Sequence, residues 1–347
     1  MFRRLWSFVA ALVCLAAALA MPAAAIPPHV PPPTPRIIAV GDLHGDFAVW
    51  QAIARAAGLI DAGGHWSGGQ SILVQLGDIT DRGPDSLKII RHLKQLQKEA
   101  PRARGRVVVL IGNHEAMQMI GDLRYVSPGE YAAFADRRSA RRRSNAFIAN
   151  KTTILVAYRA RELKLSDAEV RARWIADTPI GKVEHQAAWA PSGELGLWTL
   201  ANPAVALVDG NLFVHGGLSR AFAATQIADI NRQIHAALEV RDERDESIIS
   251  DQTGPLWYRG LAERATASGQ PDPTEAELTD VLAATGARRM IIAHTPNLSG
   301  IVISHAGRLA RVDTGNSIYY NGTPSYLEIL GNRLFPHAVP RPAGDRR

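Results

Sequence analysis

Ile37-Ile38-Ala39-Val40-Gly41-Asp42-Leu43-His44-Gly45-Asp46 is the stretch on which the fold turns. Four apolar, mostly β-branched residues run into a glycine-flanked cluster of two carboxylates and an imidazole. The run reads as a buried strand and the cluster as the loop at its carboxyl end. The same pattern returns further along the chain. Ile72-Leu73-Val74-Gln75-Leu76 leads into Gly77-Asp78-Ile79-Thr80-Asp81-Arg82-Gly83. Val107–Ile111 leads into Gly112-Asn113-His114-Glu115, and Leu212-Phe213-Val214 into His215-Gly216-Gly217. Met290-Ile291-Ile292-Ala293 leads into His294-Thr295-Pro296. Helical patterns over Phe47–Ala57 and Asp85–Lys98 separate the first strands, so an α/β arrangement is expected. Sites in such folds are built where strands end.

The clusters carry a defined chemistry. Asp42 and His44 stand two residues apart, and on an extended segment both side chains leave the same side. Asp78, Asn113, His215 and His294 each follow a different strand, and their ends converge if those strands are neighbours in one sheet. The donors are then carboxylates, imidazoles and one amide oxygen, a set that suits manganese, iron, zinc or nickel. Six such donors exceed one tetrahedral zinc. They suit two cations about 3.5–4 Å apart that share a carboxylate.

The ends of the chain read differently. Arg3 and Arg4 precede an apolar run from Leu5 to about Ala20, closed by Met21-Pro22 and Ala23-Ala24-Ala25. This is the layout of an export signal, residues 1–25, and implies a periplasmic or secreted protein without stable membrane association after cleavage. An uncleaved signal acting as a membrane anchor is the alternative. A proline-rich linker spans 26–35, the folded domain 36–335, and a loose tail 336–347. Residues 121–198 are charged and helical in pattern and read as an inserted cap. Its arginines, Arg137, Arg138, Arg141, Arg142 and Arg143, read as a solvated helix face, with a docking surface for acidic or phosphorylated partners as the alternative.

Composition narrows the function further. Hydrophobic residues make up 46% of 347, so the chain can bury an ordinary globular core. The single cysteine, Cys14, lies in the leader. The mature chain therefore has no thiol for catalysis or for zinc. Without the leader, 37 Lys+Arg face 33 Asp+Glu. That excess is too small, and the basic run too poor in aromatics, for a nucleic-acid surface.

The ordered set GDLHG (41–45), GDITDRG (77–83), GNHE (112–115), HGG (215–217) and AHTP (293–296) resembles the calcineurin-like metallophosphoesterases, in their phosphoprotein phosphatase branch. The resemblance runs from about Ile37 to about Gly315. GNHEAMQMIGDLRYV (112–126), the insert and GPLWYRG (254–260) are most similar to the Shewanella-like phosphatases of that branch. The resemblance implies a metallophosphoesterase β-sandwich flanked by helices, with a helical cap inserted. It implies two divalent metal ions, manganese foremost, with iron, zinc or nickel open. Asp42, His44 and Asp78 would hold the first; Asp78, Asn113, His215 and His294 would hold the second, with Asp78 bridging. A hydroxide between the metals would attack phosphorus in line. His114, oriented by Asp81, would protonate the leaving oxygen, and Arg82, Arg259 and Asn113 would contact the phosphate. The implied partner is a phosphorylated protein, on serine/threonine or tyrosine, or a small phosphoester. Thr80 and Ala293 depart from the branch, which has an aliphatic residue and a glycine there. A nucleotide or dinucleoside polyphosphate hydrolase is the alternative with the same chemistry. A metal-binding scaffold without turnover would lack the acid or the bridge, and both His114 and Asp78 are present.

Overall fold

The computed structural model describes residues 35–263 and 272–343. The leader and all but the last residue of the linker lie outside the described residues. The apolar runs form strands. These are Arg36–Val40 (β1), Ile72–Gln75 (β2), Arg106–Val109 (β3), Val205–Val208 (β4) and Asn211–Val214 (β5). Arg289–Ile292 (β6), Val302–Ser304 (β7), Leu309–Arg311 (β8), Ser325–Leu330 (β9) and Arg333–Ala338 (β10) follow. They pair into two five-stranded sheets, ordered β10-β9-β1-β2-β3 and β4-β5-β6-β8-β7. β1 pairs with β2, and β2 with β3, in parallel, as does β5 with β6.

Alternation along β1 shows why the central strands are mostly apolar. Ile37 and Ala39 join a core with Val74, Leu76, Phe213, Ile291 and Val312, drawn from both sheets. Ile38 and Val40 join the other core, with Trp50, Ile53, Leu93 and Leu96 of the flanking helices. Successive side chains leave opposite faces, so a strand between a second sheet and a helix layer needs apolar residues at every position. The helices Phe47–Ala56 and Ser86–Glu99 supply that layer, with ends close to those expected. Asp46 caps the first by accepting from the Val49 N–H at 3.0 Å.

The insert is helical, with six helices from Pro128–Ala132 to Glu194–Leu200. Two of its arginines are internal ties. Arg142 pairs with Asp136 at 2.9 Å and Glu184 at 2.6 Å. Arg143 donates to the Thr178 carbonyl at 3.1 Å. Arg137, Arg138 and Arg141 are exposed. Trp189 and Trp198 belong to the core, whereas Trp174 packs on Phe147.

One boundary needs correction. The segment from Pro336 was expected to be loose, but Pro336, His337 and Ala338 pair with Leu327, Tyr326 and Ser325 in β10. β10 is an edge strand, where a sheet tolerates a proline. His337 stacks on Tyr326 at 4.6 Å, and Val339 is buried. The folded domain therefore continues past 335.

Candidate active site

The strand ends meet, but from two sheets rather than one. β1, β2 and β3 deliver Asp42, His44, Asp78, Asn113 and His114; β5 and β6 deliver His215 and His294. All seven side chains are buried. Tight backbone makes room for them. Gly77 has φ 90°, and a Cβ there would stand 2.5 Å from the Gly112 nitrogen. Glu115 locks this crossing by accepting from the N–H groups of Gly112, Asp78, Ile79 and Thr80 at 2.8–3.2 Å.

Asp78 sits at the centre. Its Oδ2 is 3.3 Å from His215 Nε2 and 3.8 Å from both His44 Nε2 and His114 Nε2. Its Oδ1 accepts from the His114 N–H at 3.0 Å, at the positive end of the helix Asn113–Ile120. Asp42 lies on both sides of the group, 3.8 Å from His44 Nε2 and 4.0 Å from His215 Nδ1, and accepts from the His294 N–H at 3.3 Å. Two groups of donors converge closely enough to hold an ion: His44, Asp78 and His114, and Asp78, His215 and His294.

The protonation pattern shows that these donors fit cations. His215 Nδ1 is 2.7 Å from the Leu76 carbonyl, which can only accept, so Nδ1 carries the hydrogen. In the neutral ring Nε2 is then a lone pair, yet it faces Asn113 Oδ1 at 2.9 Å and Asp78 Oδ2 at 3.3 Å. His44 repeats this: Nδ1 meets the Thr80 carbonyl at 2.9 Å, and Nε2 faces two carboxylates. His294 Nε2 is buried with no hydrogen-bond partner. Burial lowers the His215 imidazole, but Asp78 outweighs it and raises it above its ordinary value, so positive charge belongs between these donors, as a proton or as a metal ion. The charges agree. Burial, with Asp313 and Asp78 nearby, holds the Asp42 carboxyl well above the usual range. Burial drives His44 down to about 3 and His294 well down, so both imidazoles are neutral donors. Burial pushes Asp78 upward, but the positive charge favoured on His215 and His114 outweighs it and keeps its carboxyl well below the usual range.

His114 makes a second contact of a different kind. Its Nδ1 meets Asp81 Oδ2 at 2.5 Å, while Nε2 turns towards Asp78 and lies 3.4 Å from Arg82 Nη2. Burial lowers the imidazole's pKa, but Asp78 and Asp81 reverse this and raise it above its ordinary value. Asp81 is itself braced. Gln118 donates to Oδ1 at 2.6 Å, and the Asp81 N–H donates to Glu130 at 3.2 Å. Arg259 reaches the same place, with Nη1 on the His294 carbonyl at 3.1 Å and on Thr295 Oγ1 at 3.0 Å. The other arginine near HGG, Arg220, is occupied elsewhere by Asp280 at 2.6 Å. Ala293 fits without a glycine's freedom, buried and donating to the His215 carbonyl at 2.8 Å.

Several residues here were not anticipated. Asp313, buried beside Asp42, follows the short apolar run of β8 and has the same strand-end signature as the others. Asn316 donates to the Asp42 carbonyl at 2.9 Å. Tyr125, Tyr319 and Tyr320 gather at Arg82 with nothing in their local sequence to announce it.

Two sheets whose strand ends bring aspartates, histidines and an asparagine amide round one shared carboxylate define a metal-dependent phosphoesterase. The chain belongs to the calcineurin-like phosphoesterase family, whose sequence profile matches residues 35–298. It is similar to an uncharacterized protein of Schizosaccharomyces pombe, 30% identical over 85% of this chain and 77% of that one. It is equally similar to Shewanella-like protein phosphatase 2 of Arabidopsis thaliana, 30% identical over 85% of this chain and 75% of that one. Among solved structures, a cold-active protein-tyrosine phosphatase of a psychrophilic Shewanella shares the fold, with a TM-score of 0.64 and 21% identity over 88% of this chain and 81% of that one. The chain is thus a metal-dependent phosphatase whose buried histidines and aspartates suit divalent ions.

Proposed function

We propose that the chain hydrolyses phosphate monoesters on phosphoproteins, using two divalent cations. Asp42, His44 and Asp78 would hold one; Asp78, Asn113, His215 and His294 would hold the other. When bound, the cations supply Lewis acidity and ionised water near neutral pH, and manganese is the ion expected first. The remaining work falls to the chain. Arg82 and Arg259 carry permanent positive charge to the equatorial phosphate oxygens, where charge spreads during transfer. The Asn113 amide borders the same space. His114 holds a proton on Nε2 and gives it to the leaving oxygen; Asp81 fixes the ring and favours the charged form.

The observation that carries this reading is the His114–Asp81 pair. A purely structural metal site has no use for a buried imidazolium beside its donors, facing an arginine. A phosphoprotein substrate is supported by the Arabidopsis relative's name and by the exposure of Tyr125 and Tyr319 beside Arg82. The test compares phosphotyrosine and phosphoserine peptides with a dinucleoside polyphosphate at equal manganese. Faster turnover of the peptides is expected, and a clear preference for the dinucleotide would replace this reading by the polyphosphatase one. We also propose export, supported by Arg3, Arg4 and the apolar run after them. A mature protein whose first residue is Ile26 is expected from N-terminal sequencing; an intact Met1 on membrane-bound protein would contradict it.

A further inference from the structure

We propose that Tyr125, Tyr319 and Tyr320 form a cage that positions the Arg82 guanidinium without neutralising it. The proposal rests on the phosphatase reading of the same site. An arginine in a buried site is ordinarily fixed by a carboxylate, which also cancels much of its charge. Among the described residues no carboxylate stands within ion-pair range of Arg82, and its Nε is buried without a hydrogen-bond partner. Three rings surround it instead, with centroids 4.7 Å (Tyr125), 4.9 Å (Tyr319) and 5.0 Å (Tyr320) from Cζ. All three are inside cation–π range.

The cage is anchored to the site. Tyr125 leans on the His114 ring at 5.1 Å, and its carbonyl accepts from the Arg82 N–H at 2.9 Å. Tyr320 leans on the His44 ring at 5.6 Å, and Tyr319 meets Tyr320 edge-on at 5.2 Å. The Arg82 backbone is itself held at φ 68°, where the bond to the Tyr125 carbonyl ties it to the same loop. Aromatic faces attract a cation through the ring quadrupole and carry no net charge. The guanidinium therefore keeps its full positive charge and its hydrogen-bond donors for an incoming dianion. The three tyrosines are thus positioning residues that set phosphate affinity through Arg82.

The experiment is a double-mutant cycle in the full chain, read by inorganic phosphate as competitive inhibitor and by KM and kcat on a phosphoserine peptide. Its leaving group has no ring to stack. Tyr125→Leu and Tyr319→Leu, both at exposed positions, are each expected to raise the phosphate Ki and the KM by about three- to tenfold. That change should exceed the change in kcat. Tyr→Phe at either position should restore most of the loss. In an Arg82→Ala background the leucine changes should add nothing. The same fold-loss with and without Arg82 would overturn the cage, because the rings would then touch substrate directly; unchanged Ki and KM would overturn it equally. A wild-type protein that neither hydrolyses monoesters nor is inhibited by phosphate would instead remove the phosphatase reading beneath it.

Discussion

His44, Asp78, Asp81, Arg82 and His294 all have positive φ, from 40° to 71°. Non-glycine residues avoid that region, at a cost of about 1–3 kcal/mol each when they are held in it. Five of the eleven described non-glycine residues with positive φ thus belong to the site, and the glycines beside them provide room. At this scale the decisive pair is His114 and Asp81. His114→Asn should lower kcat by about 10²–10⁴ and leave the bound metal unchanged. His114 Nε2 stands only 3.8 Å from Asp78, so metal analysis of the variant matters: loss of ions would make His114 a ligand instead of an acid. Gln118→Leu removes the donor that holds the Asp81 carboxylate. A fall of about tenfold in kcat with little change in KM is expected; wild-type kcat would show that Glu130 alone suffices. The six proposed metal donors were legible because they close apolar runs, and strand length fixes where they land. Asp313 was harder to read, since Arg311 interrupts its run. The tyrosines were not legible at all: they come from two distant loops and meet only through folding.

Single elements hold the site as much as single residues do. The helix Asn113–Ile120 brings Glu115 under the crossing of β2 and β3, where it serves four backbone N–H groups. Glu115→Ala would leave those groups buried and unpaired, and should cost several kcal/mol in denaturant unfolding. The insert contributes a buried acid from beneath. Glu130 lies under Asp81 with its Oε1 unpartnered, and His185 is 3.7 Å away. Burial raises Glu130 to about 8 and lowers His185 to about 4, so both are neutral at pH 7. For Glu130 the folded protein binds the proton more tightly than the unfolded chain does. That stabilisation is complete below about pH 4.5 and is lost as pH rises to about 8. Glu130→Gln should therefore gain on wild type across that window, by on the order of a few kcal/mol at its upper end. Parallel stability curves for the two proteins would show that Glu130 stays ionised. None of this was visible beforehand, because helical patterns in the insert do not say which carboxylate a tertiary contact will bury. The strand β10 escaped for a related reason: a proline near the C-terminus suggests looseness until a neighbouring strand offers it an edge.

At the scale of the whole molecule, two sheets pack face to face and bring their strand ends together over one carboxylate. The expectation of a helix-flanked sandwich holds because the runs are apolar at nearly every position, as strands covered on both faces require. Which strands would share a sheet was left open, since local sequence does not say which strands will pair. Loading the site couples these sheets. Ions that bind only the folded chain stabilise it by mass action, so chelation should lower the melting temperature by at least a few degrees, reversibly on adding manganese. An unchanged melting temperature would mean that Asp42, Asp78 and Asp313 tolerate one another without a cation. The most direct test of the central claim joins metal content and turnover in one preparation. Wild-type protein should carry two divalent ions per chain and hydrolyse phosphomonoesters, while Asp78→Asn should lose both ions and activity together. Undiminished hydrolysis by protein stripped of metal would contradict the account.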